Sequence, residues 1–338
     1  MKKIRIGVLS PSEIATRRFL PALPDEVEFI GIAVASKDEW FGDISEDSFN
    51  KINQSELTKA EIIQQKHGGK IYNCYTSLLS SGDIDAIYIP LPPALHYFWG
   101  KKALNYGLHV LLEKPLTVSF EDTKELVAIA REKNLLIYEN FAFEFHKQID
   151  RIKEIMHSDL LGEIRQIRAS FGFPYRGAND FRYKKILGGG AVNDCGGYPI
   201  KLATILLGND VQVKYSQLYS SRNHDVDTYG FAVIENKNGP PAIVSFGMDN
   251  AYTCELEIWG NKNKLLAPRV FTPPVDFQSK LIISGEKGQE IIIDKDDYFK
   301  NSIKRFVDYI NKDKSTIYQE ILLQDELMEQ IRRNTIYE

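Results

Sequence analysis

Cysteine is scarce in this 338-residue sequence, with only Cys74, Cys195 and Cys254, an odd number set far apart. That excludes a disulfide framework and any Cys-x-x-Cys metal or redox motif, and it suits reduced, structural thiols. An excess of one charge is also lacking, since 42 Lys and Arg face 46 Asp and Glu for a net charge of −4. With no cationic surplus to neutralise phosphates, nucleic acid is not an expected partner. No apolar run approaches the roughly 20 residues that a bilayer span requires. Met1-Lys2-Lys3 leads straight into a strand-like segment without a cleavable signal pattern, so a cytoplasmic protein with no membrane partner is expected. Internal repeats and low-complexity tracts are absent as well. What is present is 43% hydrophobic and 26% charged residues, the balance of a soluble chain with substantial cores. At roughly 150 residues per domain, the length favours two domains.

The first 140 residues alternate strand and helix signals as in a doubly wound parallel sheet. Strand-like runs fall at Ile4 to Leu9, Val27 to Ala35, Ile71 to Tyr72, Ala86 to Leu91, His109 to Leu112 and Leu135 to Tyr138. Helices are expected over Ile14 to Leu23 and Leu95 to Asn105, the latter stopped by Gly107. Asp38 to Lys59 is longer and more polar than such a crossover needs and reads as a mobile surface insertion. Beyond residue 140 the pattern changes to long extended stretches at 164–171, 211–220, 228–235, 242–248, 253–259 and 290–294. With one helix over Val192 to Leu207 and two at the end, residues 141–338 are expected to form an α+β domain on a large, open, mainly antiparallel sheet.

A dinucleotide loop would place Gly-x-Gly-x-x-Gly or Ala after the first strand, so that backbone can approach a pyrophosphate. The chain has Ser10-Pro11-Ser12-Glu13-Ile14-Ala15, with the spacing and without the glycines. Ser10, Ser12, Ile14 and Ala15 are the candidate contacts, the plain alternative being a strand-to-helix turn capped by Ser12. After the second strand an NAD enzyme offers a carboxylate to the ribose, whereas Ser36-Lys37 stands here. A hydroxyl and a cation suit the 2′-phosphate of NADP, although Asp38 keeps NAD open and a solvated Lys37 is the plain reading.

At the carboxyl end of the strand His109 to Leu112 stands Glu113-Lys114-Pro115, on the edge where such sheets bind ligands. Ile87-Tyr-Ile-Pro-Leu-Pro92, Leu95-His96-Tyr97, His109-Val-Leu-Leu-Glu-Lys-Pro-Leu-Thr117, Leu161-Gly-Glu-Ile164 and Gly188-Gly-Gly-Ala-Val-Asn-Asp-Cys-Gly-Gly-Tyr-Pro199 together resemble the Gfo/Idh/MocA oxidoreductases. The resemblance implies a Rossmann domain over 1–140, a sheet domain over 141–338, and hydride exchange between NADP or NAD and a sugar or sugar derivative. It implies cofactor contacts from Pro90, Leu91, His96, Glu113 and Lys114, and a homodimer or homotetramer through the open sheet.

Asp194, Tyr198 and Lys201 fall at i, i+4 and i+7, which places an acid, a phenol and an amine on one helical face, either a cleft wall or a solvated stripe. Tyr198 is the expected proton donor, Lys114 its electrostatic support, and Asp194 the group that orients substrate. Arg182 and Lys201 would add cationic substrate contacts, suggesting an anionic, nucleotide-linked keto sugar; a surface salt bridge is the plain alternative for Arg182. Glu139 reads equally well as structural. His224-Asp225-Val226-Asp227 has metal-ligand residue types but no matching cluster, so no metal is expected. The rival function is a catalytically silent binding or regulatory protein, suggested by the missing glycines.

Overall fold

The alternating apolar runs form two sheets in the computed structural model, which describes residues 2–222, 224–286 and 288–335. The first sheet contains β1 (Ile4–Leu9), β2 (Val27–Ala33), β3 (Lys70–Tyr72), β4 (Ala86–Ile89), β5 (His109–Leu112) and β6 (Ile137–Glu139). All pairs are parallel and the order is β3-β2-β1-β4-β5-β6. The chain reverses its direction of winding between β1 and β4, which opens a crevice at the carboxyl ends of those strands. Ser10, Ser36, Pro90 and Lys114 follow β1, β2, β4 and β5 respectively, so every motif of the first domain lies along that one edge.

Two local expectations are corrected. The helix expected over 14–23 is a π turn, Ala15–Phe19, followed by a 3-10 turn, Leu20–Ala22. Pro21 has no N–H to donate to a preceding turn, and a regular helix cannot pass through it. The polar stretch after β2 is not a mobile insertion but the start of a 22-residue crossover helix, α1 (Glu46–His67). Ser45 caps it by accepting the Ser48 N–H at 3.3 Å, Glu46 and Asp47 occupy its first turn, and Lys66 and His67 its last. Those charges complement the helix dipole, and burial of Phe49, Ala60 and Ile63 supplies too sparse a stripe for periodicity to reveal. The remaining helices here are α2 (Tyr75–Leu79), α3 (His96–Asn105) and α4 (Phe120–Glu132).

After α5 (Lys147–Met156) the second sheet is built from β7 (Ile164–Gly172), β8 (Val211–Tyr219), β9 (Tyr229–Asn236), β10 (Ala242–Gly247), β11 (Thr253–Gly260), β12 (Asn263–Ala267), β13 (Lys280–Gly285) and β14 (Gln289–Ile292). The order is β14-β13-β12-β11-β7-β10-β9-β8, antiparallel except for β7 with β10. One face buries Ile167, Ala169, Val244, Phe246, Leu256 and Ile258, and α6 (Gly197–Leu207) packs over its β7, β9 and β10 strands. The alternate residues face outward, among them the exposed Tyr215, Tyr219, Tyr229 and Trp259.

Two compact units result, and the second includes most of residues 141–301 together with 319–338. The C-terminal helices α7 (Tyr298–Ile310) and α8 (Ser315–Asn334) are not wholly part of it, because Ser302–Tyr318 belongs with the first unit. There Tyr318 donates its hydroxyl to the Leu135 carbonyl at 2.6 Å, and Phe306 meets the Tyr138 ring edge-on at 6.0 Å. No helix among the described residues is long and apolar enough to cross a membrane.

Candidate active site

The glycine-poor turn after β1 keeps a glycine's backbone. Ser10 has φ +77°, in the left-handed region, a conformation that costs a side-chain-bearing residue about 1–2 kcal/mol. Ser12 caps the following turn, its Oγ accepting the Ala15 N–H at 3.2 Å while its carbonyl accepts from Thr16. The plain reading of Ser12 as a cap is therefore correct, yet the N–H groups of Glu13 and Ile14 still begin a helical turn at the crevice, as an anion-binding loop requires. The loop thus keeps free backbone donors at the crevice that could hold a dinucleotide pyrophosphate, without the usual glycines.

At the ribose end, Ser36 opens a short 3-10 turn and Lys37 pairs with Glu46 at the surface. Exposed pairs of this kind are weak, so a phosphate can compete for Lys37. The residue that sequence reasoning missed is Glu39. Its partly buried carboxylate accepts N–H bonds from Ser36 at 3.2 Å, Tyr75 at 2.7 Å and Thr76 at 2.8 Å, and the Thr76 hydroxyl at 2.6 Å. Burial pushes its pKa up, but these four donors outweigh burial and hold it below the usual carboxylate value. Beside it lies a cavity of about 350 Å³ lined by Asp38, Trp40, Phe41, Phe98, Trp99 and Lys102, a suitable size and character for a planar base. Phe98 and Lys102 are one helical turn apart, the sequence signal that would have found it.

The turn carrying Lys114 is clamped from several sides. Glu113 Oε1 accepts the Tyr88 hydroxyl and Asn140 Nδ2, both at 2.7 Å. Burial raises its pKa above the ordinary value despite those two donors. Glu139 accepts the Leu116 N–H at 2.8 Å, which settles its structural role. His96 is fully buried, with Nδ1 2.8 Å from the Pro115 carbonyl and Nε2 2.7 Å from the Leu91 carbonyl. No ring nitrogen is left for a cofactor, and burial holds its pKa low. The imidazole of His96 is thus a positioning group for Pro115 and Leu91 rather than a direct cofactor contact, while Glu113, half-buried and bonded through Oε1, both braces the turn and stays at the cofactor edge.

In the second unit the acid, phenol and amine separate. Val192–Gly196 forms a π turn ahead of α6, so the spacing no longer follows an α-helical face. Asp194 accepts from Arg182 Nε at 2.8 Å, and Asp180 accepts from the same guanidinium at 3.2 Å. Burial opposes the Arg182 charge, and the two carboxylates more than restore it, driving its pKa upward. The Tyr198 ring lies among Phe141, Phe143, Phe171 and Phe271, with centroids 4.9–5.9 Å away. Lys201 is 7% exposed and lies 3.6 Å from Glu144 and 3.9 Å from Glu320. Both expected substrate cations, Lys201 and Arg182, are thus engaged by carboxylates of their own unit. His224, Asp225 and Asp227 also diverge: His224 packs on Tyr183, Asp225 accepts the Lys185 N–H and Asp227 accepts the Val192 N–H.

Residues 28–141 match the family model described as the oxidoreductase family with NAD-binding Rossmann fold, and residues 149–266 match the GFO/IDH/MocA C-terminal domain. A dTDP-3,4-didehydro-2,6-dideoxy-alpha-D-glucose 3-reductase of Actinomadura kijaniata is 36% identical over 304 residues, covering 90% of this chain and 86% of its own. D-xylose 1-dehydrogenase (NADP(+)) 2 of Haloferax volcanii is 30% identical over 267 residues, 78% of this chain and 76% of its own. Among solved structures, a 3-ketoreductase from Actinomadura kijaniata in complex with NADP and TDP-benzene has a TM-score of 0.89 at 34% identity, covering 99% of this chain and 98% of that one.

Glu39→Gln replaces two acceptor oxygens by an acceptor and a donor facing N–H groups, and should lower stability by about 1–3 kcal/mol at pH 7 in urea denaturation. Because the folded pKa of Glu39 is depressed, its contribution is complete above the unfolded value near 4.3 and fades as pH falls through the folded value. The gap between wild type and variant should therefore narrow below about pH 4; a gap that widens there would contradict the assignment.

Proposed function

The chain belongs to the Gfo/Idh/MocA family of NAD(P)-dependent oxidoreductases, and on that premise we propose that it reduces the keto group of a nucleotide-linked sugar with NADPH. The observation that carries this reading is the likeness to 3-reductases of dTDP-linked keto sugars over nine-tenths of the chain. Within it, the sheet domain presents Tyr198, a phenol fixed by four phenylalanine rings. When bound, the nicotinamide supplies the hydride. Along the carboxyl edge of the first sheet, Ser10, Ser12, Ile14 and Ala15 would hold the cofactor's pyrophosphate, Ser36 and Lys37 its 2′-phosphate, and Pro90, Leu91 and Lys114 its nicotinamide end.

Reduction turns a carbonyl oxygen into an alkoxide-like one that needs a proton, and Tyr198 donates it from Oη. The aromatic ring cluster leaves the phenol little freedom to rotate. Lys114 supplies positive charge for the developing oxyanion, held in place by the buried carboxylate and imidazole around its turn. Asp194, set by Arg182, accepts from substrate hydroxyls. Cys74, Cys195 and Cys254 form no disulfide with one another, which supports a reducing compartment, the cytoplasm. The outward Tyr215, Tyr219, Tyr229 and Trp259 support pairing of two copies through the open sheet.

Tyr198→Phe should lower turnover on keto sugars by about 10²- to 10⁴-fold with NADPH affinity kept. Lys114→Met should also lower turnover, and the double variant should be much less than multiplicatively worse, as for residues acting as a unit. Wild-type rates in Tyr198→Phe would discard the phenol, and no binding of millimolar NADPH would favour the silent protein instead. NADPH should bind more tightly than NADH, and Lys37→Ala should lose about 1.5 kcal/mol of NADPH affinity, the low end for a bond to a charged group because Lys37 must leave Glu46. Equal affinities for the two cofactors would refute that choice. Sedimentation velocity should give a dimer or larger, reduced toward monomer by Tyr219→Glu; a monomeric wild type would remove the interface.

A further inference from the structure

The loop that brings Arg182 to Asp194 also builds a second group of side chains that the reduction step does not use. Tyr175, Tyr183 and His224 form a triangle of rings, with centroids 4.8 Å apart for Tyr175–Tyr183 and for Tyr183–His224, and 5.9 Å for Tyr175–His224. Tyr183 is its buried floor, donating its hydroxyl to the Met248 carbonyl at 2.5 Å and accepting the Arg176 N–H at 3.3 Å. Tyr175 and His224 are half-buried above it. The Arg222 guanidinium lies 4.7 Å over the Tyr175 ring, steered by Asp249, which accepts from Nε at 2.7 Å. Arg176 lies 4.7 Å from the Phe173 ring, and with Lys184 and Lys185 it is exposed without an acidic partner among the described residues. His224 Nε2 is shielded from solvent and has no hydrogen-bond partner among the described residues.

Aromatic rings beside stacked guanidinium groups suit a planar base, and unpaired cations around them suit a diphosphate. A free sugar, which is uncharged, would need neither. We infer that this cluster, Tyr175, Tyr183, His224 and Arg222 with Arg176 and Lys185 at its rim, binds the pyrimidine nucleoside diphosphate of the substrate. The short turn Phe181–Tyr183 then serves both ends of one molecule. Its Arg182 sets Asp194 for the sugar, and its next residue, Tyr183, underlies the base. Arg182 and Lys201 already face carboxylates, whereas the side chains of Arg176 and Lys185 have none among the described residues and are the cations this cluster offers a diphosphate.

The inference rests on the nucleotide-linked reading, and the test separates the two. dTDP is titrated calorimetrically into the NADPH-loaded full chain. Wild type should bind it saturably, and Tyr175→Ala, Arg222→Gln and the exposed Arg176→Gln/Lys185→Gln pair should each weaken it about tenfold or more. NADPH affinity and melting temperature should be unchanged, and KM for the nucleotide-linked sugar should rise while kcat is kept. Variants that bind dTDP as tightly as wild type would overturn the inference and leave the reductase reading standing. Pyrophosphate binding as tightly as dTDP would overturn the role of the rings. A wild type that ignores dTDP yet reduces unlinked keto sugars would overturn the nucleotide-linked reading itself.

Discussion

A single ionisable side chain with no freedom to move, Glu113, is the constraint on which the cofactor edge depends. Its carboxylate ends β5, and both of its hydrogen-bond donors come from neighbouring strands or their ends: Tyr88 from β4 and Asn140 after β6. Asn140 is in turn fixed by the Ser302 hydroxyl at 2.8 Å. Removing any one partner would leave buried polar groups unsatisfied, at a cost of about 1–3 kcal/mol each. Position at the edge is thereby transmitted to Lys114 through the strand rather than through loop conformation. This explains why an otherwise ordinary surface turn carries so many buried contacts.

The second unit solves a comparable problem with apolar atoms. Tyr198 is held by ring packing, and the polar residues nearest to it in sequence are withdrawn into separate ion pairs. Buried ion pairs of this kind add little net stability, because desolvation cancels most of the attraction. Their effect at Lys201 and Arg182 is to set where helix and loop lie, while the phenol is placed by its rings.

Architecture was largely legible because it depends on patterns of buried and exposed residues. The alternation of β7 and β11, the continuous apolar runs of β1, β4 and β5, and the Glu113-Lys114-Pro115 segment at a strand end could all be read from the chain. α1 was not, because only three buried side chains mark its inner face over 22 residues and its caps hold it otherwise. β12 and β13 also went unrecognised, being short and lysine-bearing. For the site, residue types and motifs singled out Lys114, Asp194 and Tyr198 as candidates, but partners remote in sequence stayed invisible. Glu39 meets Tyr75 and Thr76 across 36 and 37 residues, and Lys201 meets Glu144 and Glu320 across still longer separations. Helical spacing failed at Asp194 for another reason, since a π turn alters the period on which the inference relied.

That π turn has an evolutionary consequence. Adding one residue to a regular helix rotates everything beyond it by about 100°. Val192–Gly196 takes up such an addition by widening a single turn, so α6 and Tyr198 keep their placement. The space around the turn is much less forgiving. A Cβ on Gly196 would sit 3.2 Å from the Ala191 carbonyl and the Phe246 ring, and one on Gly197 would sit 3.0 Å from Phe141. A change of one residue in length is therefore easier to accommodate in this stretch than added side-chain bulk, and that asymmetry is the constraint under which it can vary.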